Sequence, residues 1–442
     1  MPIDRYLNST NYDHPQESNL LNLHKAMEYN TLGQPVIRTT SGAAPTANDA
    51  FGRLRVSQPY TLFDSFHRYQ DNARISQYTA GTSTSTHSVT EGCVTMSVGS
   101  NQGDLIYRES SRVFAYQPGK SLSILQTFCM SPAKPGLRQR QGYFDANNGI
   151  FLERDGDQVS FNIRTTTYAG VPEIREKVYQ ADWNVDPLDG TGVSTKILNL
   201  DSTQILFTDV EWLGVGSVRV GFVIDGEFVP VHIFHHANIA GNTRPYMATA
   251  CLPVRAELEN TANTGSPSSY KLICTTIMSE GGVELQGRPR AGGHGIAAPY
   301  SLAASGVVYP ILTMRLKSSR LGGIVLPKNF TIGVDKAANY RYTIVIGGVT
   351  SGGSWIDAGS SDSSVQYKLD STSITGGNIV EVGYINASNQ ASVAPNLSDF
   401  PFKYQLEKNS FTGLGTEFTI CLETDSNTGP KAWCSVNWEE FT

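Results

Sequence analysis

From about residue 60 onward the dominant spacing of apolar positions is two, the period of a strand with one face buried. Val218, Val220, Phe222 and Ile224 alternate with Arg219, Gly221 and Val223. Asp225-Gly226 then reverses the chain, and Phe228 to Phe234 returns as Phe-Val-Pro-Val-His-Ile-Phe. Asp-Gly supplies the positive φ angles of a tight hairpin turn, so the spacing predicts two paired antiparallel strands. A second hairpin reads Ile150-Phe151-Leu152-Glu153, the turn Arg154-Asp155-Gly156-Asp157, then Val159, Phe161 and Ile163 on alternate positions. Further strands are expected at 121–128, 204–212, 254–259 and 271–279. Short strands, many turns and little helix predict an all-β chain whose residues 59–285 form two packed antiparallel sheets.

At 286–308 the composition shifts to Gly, Ala, Pro and Ser without a period, which reads as a linker. Strands resume at 311–316, 330–334, 340–346, 365–369, 379–385, 402–408, 416–423 and 432–441, so residues 309–442 read as a second, smaller β-sandwich. The first 58 residues read differently. They carry Pro15, Pro35 and Pro45 and few apolar residues at any regular spacing, with one short helix expected where Ser18 caps Leu20, Leu21, Leu23, His24 and Met27 ahead of Gly33. Such an extended N-terminal arm has no core of its own and must lie against another surface. Phe51, Leu54 and Val56 are its expected apolar anchors, with Arg53 and Arg55 pairing to acidic partners. The alternative is that this segment is the first strand of its own sandwich.

Charge narrows the functional classes. The 442 residues hold 34 Lys plus Arg against 40 Asp plus Glu, a net charge of −6. A sequence-independent nucleic-acid binder needs a cation surplus, so nucleic acid is not an expected partner. No apolar run is long enough for a membrane helix, and the N-terminus lacks the apolar stretch of a secretory signal. The six cysteines, at 93, 129, 251, 274, 421 and 434, show no paired spacing and are expected to be reduced and mostly buried.

Candidate chemistry is sparse. No nucleophile elbow, P-loop or dinucleotide fingerprint is present, and no cofactor is expected. His232, His235 and His236 lie close together, but on a strand His232 and His236 share one face and His235 takes the other, so hydrogen bonding is expected rather than a metal. Asp182, Asp186 and Asp189 fall in one turn-rich loop, a candidate site for an ion or a glycan, although Asp also dominates turns for local reasons. Glu153, Asp209, Glu211, Asp225 and Glu227 lie on or beside strands of the same sandwich. A glycosidase would need two of them about 5–10 Å apart. The five tryptophans, 183, 212, 355, 433 and 438, sit in apolar strand patterns and are expected to fill the sheet interfaces.

The segment from Ala50-Phe51-Gly52-Arg53-Leu54-Arg55-Val56 through Tyr60-Thr61-Leu62-Phe63-Asp64-Ser65 resembles one that recurs near the start of virion structural proteins of tailed bacteriophages, especially those of marine cyanobacteria. Arg138 to Phe151, Val210 to Arg219 with Phe222 to Gly226, and the closing Val436-Asn437-Trp438-Glu439-Glu440-Phe441 look like the same family. The resemblance covers most of residues 48–282. It implies a location in the virion after synthesis in the host cytoplasm, and the coreless arm, the β-rich pattern and the lack of a catalytic motif fit a structural protein there, with other virion proteins as partners and assembly as a homo-oligomer in the tail or a fibre, head decoration being the alternative. It supplies no catalytic residue, and no enzymatic activity is expected. The Val-Ile-Asp-Gly-Glu-Phe-Val pattern also looks like concanavalin-like or laminin-G-like jelly rolls, which implies a host-glycan-binding adhesin or a polysaccharide depolymerase as further readings.

Overall fold

The computed structural model describes residues 28–29, 35–36, 59–284, 286–359, 362–387, 391–393, 397, 403–409 and 414–441. The chain divides into two compact units, Met1–Arg55 and Val56–Thr442. In the first, Glu28–Tyr29 pairs antiparallel with Pro35–Val36. The expected helix residues Ser18 to Met27 and the anchors Phe51, Arg53, Leu54, Arg55 and Val56 lie outside the described residues.

The second unit is built of antiparallel sheets. Its first sandwich has a seven-stranded sheet in the order Glu173–Tyr179, Gln158–Thr165, Gly149–Asp155, Leu137–Phe144, Val254–Asn260, Leu105–Ser110 and Ile75–Ala80. Facing it is an eight-stranded sheet: Glu227–Phe234, Val218–Ile224, Gln204–Val210, Ser121–Cys129, Ser268–Glu280, Cys93–Val98 and Thr84–Ser88, with Tyr60–Phe66 paired to Ser268–Glu280. Neighbours such as Leu137–Phe144 and Val254–Asn260 are far apart in sequence, because the chain crosses repeatedly from one sheet to the other as in a concanavalin-like jelly roll. Tyr143, Leu152 and Phe161 from one sheet and Ile124, Leu206 and Phe222 from the other fill the space between them. Both hairpins form as expected, and in the second Asp225 and Gly226 take φ of 55° and 80°, the positive angles the turn requires. Trp183 and Trp438 are buried as expected, whereas Trp212, Trp355 and Trp433 are half-buried. All six cysteines are unpaired, and Cys93, Cys421 and Cys434 are buried.

The second sandwich corrects two expectations. Residues 286–308 do not read through as a linker, because Arg288–Gly293 forms a strand along Lys431–Phe441, and Tyr300–Ser301 pairs with the same strand. The glycines that hide this strand are there for close packing. A Cβ on Gly293 would stand 2.6 Å from the Ser435 Cβ and 2.7 Å from the Cys434 carbonyl oxygen. The resulting sheet runs Arg288–Gly293, Lys431–Phe441, Ile324–Val334 and Ala391–Val393. Opposite it are Ile356–Asp357, Val365–Lys368, Tyr309–Leu316, Phe418–Thr424, Ala338–Ile346 and Asn378–Ala387, with Trp438, Phe330, Tyr340 and Phe418 in the core. Residues 403–407 are likewise not a strand. Their apolar spacing serves a plug between the sandwiches: Gln405 Nε2 donates to the Val113 carbonyl (2.8 Å), Leu406 N to Val325 (3.0 Å) and Lys408 N to Ser111 (2.8 Å).

Candidate functional site

The outer face of the seven-stranded sheet carries a connected group of buried charges, Glu109, Glu153, Arg255 and Glu257. Strand alternation sends Gln139, Gln141 and Tyr143 inward, so Arg138 and Arg140 point out; by the same rule Leu152 is inward and Glu153 outward. Ion pairs then run across the strands in alternating sign. Lys177 meets Glu153 (2.8 Å), Glu153 meets Arg140 (2.7 Å), Arg140 meets Glu257 (2.9 Å), Glu257 meets Arg255 (2.6 Å) and Arg255 meets Glu109 (2.7 Å). Burial pushes the Glu153 and Glu257 carboxyls up, but the charges of Arg140, Arg255 and Lys177 outweigh it and hold both below the ordinary glutamate value. A carboxylate held low cannot serve as a general acid near neutral pH. Each charge of the ladder is answered by a neighbour of opposite sign.

The other sequence candidates do not gather. Asp209 points away from the core of the opposite sheet, where Arg219 holds it at 2.9 Å, so it cannot share a cleft with Glu153. Asp225 pairs with Lys196, and Glu227 lies on the strand after the hairpin turn. In the 182–190 loop Asp186 is buried and spends its two oxygens on the backbone N–H groups of Leu188 (2.9 Å) and Ser194 (2.7 Å). Asp189 accepts from Thr191, and Asp182 is exposed at the end of a short 3-10 turn. Among the described residues no three His, Cys, Asp or Glu side chains come together as a metal site, and the hydrogen bonds of this loop are those of turn chemistry. The histidines make hydrogen bonds as expected. His236 stacks on Tyr246 at 3.9 Å and bonds the Gly216 carbonyl (2.6 Å) and Glu176 (3.1 Å), His235 bonds Ser217, and His232 accepts from Asn184 N.

A site with room for a ligand lies on the second sandwich. An open groove of about 380 Å³ is lined by Ser305, Gly306, Asn339, Arg341, Tyr384 and Asp425, among others. Small-ligand sites span about 300–1,000 Å³. Register builds it: Arg341 lies between Tyr384 on one neighbouring strand and Glu423 on the other, so the three share one row of the outer sheet face. Tyr384 is 71% exposed. Arg341 Nη1 donates to Glu423 (3.2 Å), and Asn339 donates to Asp425 from its side chain (2.6 Å) and its backbone (3.0 Å). Those Asn339 bonds, side chain first, hold the Asp425 carboxyl below its ordinary value. Gly306 N donates to the Thr424 carbonyl (2.9 Å), which fixes the loop that forms the groove's end. An exposed ring beside planar donors and acceptors that keep each other aligned, each with bonding capacity left over, suits a polyhydroxylated ligand.

Sequence reasoning did not single out these residues. Asn378–Ala387 carries apolar side chains on both faces, so nothing local said that Tyr384 stands outward while Ile385 is buried. The usable signal was an aromatic in the same parity as Asn386.

No family model and no curated protein matches this chain. Among solved structures it is similar to the CBM2 module of the evolved Dit of Lactobacillus casei BL23 phage J-1 (TM-score 0.33, 7% identity, 52% of this chain and 98% of that one). It is also similar to the carbohydrate recognition domain of Emp47p (TM-score 0.31, 10% identity, 51% and 96%) and to peanut lectin (TM-score 0.30, 10% identity, 50% and 98%). Likeness of this extent carries no ligand or role to the present chain. No helix of the described residues is long and apolar enough to cross a membrane.

Proposed function

We propose that this chain is a glycan-binding protein without catalytic activity, and that the groove around Tyr384 takes a sugar of the host surface. The observation that carries this reading is the row Tyr384, Arg341 and Glu423 beside the Asn339–Asp425 pair. An aromatic ring offers its face to the C–H side of a sugar, while aligned carboxylate, amide and guanidinium groups bond the hydroxyls at its rim. Hydrolysis is not proposed, because the acidic groups of the groove are engaged by Asn339 and Arg341 and the Asp425 carboxyl is held low. A glycan array with the full chain tests the reading. Binding to a defined set of sugars is expected, and Tyr384→Ala, with its unfolding temperature unchanged, is expected to weaken it about tenfold or more, as loss of an aromatic anchor does. No bound sugar, or undiminished binding by the variant, would refute it.

The site of action we propose is the virion of a tailed bacteriophage, in the tail or a fibre, with several copies held through the N-terminal arm. The support is the resemblance across residues 48–282 and the division of the chain at Arg55/Val56. Repetition would let a weak sugar contact in each copy add up to firm attachment.

A further inference from the structure

One loop end of the first sandwich carries guanidinium groups that form no ion pair with a carboxylate among the described residues. Arg138, Arg140 and Arg255 on the same sheet face are each paired with glutamate. Arg164, Arg175 and Arg244 make no ion pair among the described residues. Arg164 lies over the rings of Phe144 (5.7 Å) and Phe151 (5.1 Å) and donates to the Asp145 carbonyl (2.9 Å). Arg175 lies 4.2 Å over the Tyr168 ring, and Arg244 stands 5.7 Å from that same ring while donating to the carbonyls of Thr167 (3.0 Å) and Tyr168 (2.9 Å). A β-bulge sets the first two on adjacent backbone: Ile163 pairs with Glu176 and Arg164 with Ile174, so Arg175 is the extra residue opposite Arg164.

Of the acids nearby, Glu173 pairs in register with Thr165 and not with Arg164, and makes no ion pair among the described residues; the other two are engaged elsewhere. The Asp145 carboxylate accepts from the backbone N–H groups of Asn147 and Asn148 (2.7 Å each), and Glu176 turns to His236 (3.1 Å). Burial, followed by the charges of Arg140 and Arg255 against those of Glu257 and Asp145, pushes Arg164 down to about 10. The scaffold is fixed, because Asn148 Oδ1 accepts from both Thr166 N (3.4 Å) and Ala248 N (3.0 Å) and so ties the three loops together. A guanidinium stacked on a ring keeps its in-plane N–H groups free to grip an oxyanion in two-pronged fashion.

The geometry points to a second binding site here, formed by Arg164, Arg175, Arg244 and Tyr168, that takes the acidic groups, sulfate esters or carboxylates, of an anionic polysaccharide. It stands apart from the Tyr384 groove and does not depend on it. Both exposed arginines can be changed without touching the core, so the test uses the full chain and the double variant Arg175→Gln/Arg244→Gln, with Tyr384→Ala beside it. Binding to dextran sulfate, polygalacturonate and neutral dextran is measured by calorimetry at about 50 mM and about 0.5 M salt. Binding of at least one acidic polymer at low salt, lost at high salt and weakened about tenfold or more in the double variant, is the expected result. Which polymer binds assigns sulfate or carboxylate, and retention by Tyr384→Ala separates this site from the groove. The inference falls if neither acidic polymer binds at low salt, if neutral dextran binds as well, or if the folded double variant binds like the parent. Loss in Tyr384→Ala alone would also overturn it, by moving the anion to the groove.

Discussion

Removing Arg140 should be among the costliest changes of a charged residue in this protein. Its side chain is 11% exposed and bridges two carboxylates exposed by only 5% and 8%, Glu153 at 2.7 Å and Glu257 at 2.9 Å. Arg140→Met keeps an apolar stem over Phe151, which the guanidinium covers at 5.2 Å, so the loss is mainly electrostatic. Breaking a buried pair by deleting one partner costs about 3–5 kcal/mol, since the other charge stays buried. Glu153 keeps Lys177 and Glu257 keeps Arg255, which favours the lower end, about 3 kcal/mol. For a domain of this size that lowers Tm by about 6–12 °C. The sign of the pH dependence follows from the depressed carboxyls. Their contribution is present above the unfolded value of 4.5 and is lost as pH falls through the lower folded values. In the variant the two carboxyls rise, so its deficit should shrink as pH falls below 4.5 and through the lower folded values. Differential scanning calorimetry at pH 7 and in steps down through the acid range measures both effects. A drop of under about 2 °C at pH 7, or a deficit that stays the same down to the acid unfolding of the parent, would show that the ladder does not bear on stability in this way.

Two further outcomes follow from other parts of the molecule. His67 and His232 are each lowered from 6.5 to about 4, mainly by burial, so each enters the fold neutral. Their contribution is full above pH 6.5 and is lost as pH falls toward 4. Urea midpoints should therefore decline between pH 7 and pH 5, before most carboxylates titrate, and His67→Gln/His232→Gln should flatten that decline; an unchanged slope would count against it. Deleting residues 1–58 should leave the sandwiches folded, with the same unfolding temperature as the full chain, while abolishing incorporation into particles. Normal assembly by the truncated chain would remove the arm from the proposed virion role.

The chain's own letters were enough to settle which segments become strands wherever alternation is clean and a turn residue closes the pair. Val218–Ile224, Asp225-Gly226 and Glu227–Phe234 form one such unit, because period two and a positive φ are properties of a few neighbouring residues. The antiparallel sandwich class follows from the same local pattern, and the unpaired state of the cysteines was legible in their spacing. What lay beyond reach depends on which strand lies beside which. Arg140 and Glu257 are 117 positions apart, and only the pairing of Leu137–Phe144 with Val254–Asn260 makes them neighbours. The glycine-rich 288–293 segment looked like a spacer until Lys431–Phe441 came close enough to exclude side chains. Tyr384, Arg341 and Glu423 come from three separate strands and share a row only through sheet register. Secondary structure is written in short-range stereochemistry, whereas a binding surface is assembled from residues whose proximity is fixed only when the chain has crossed between the sheets.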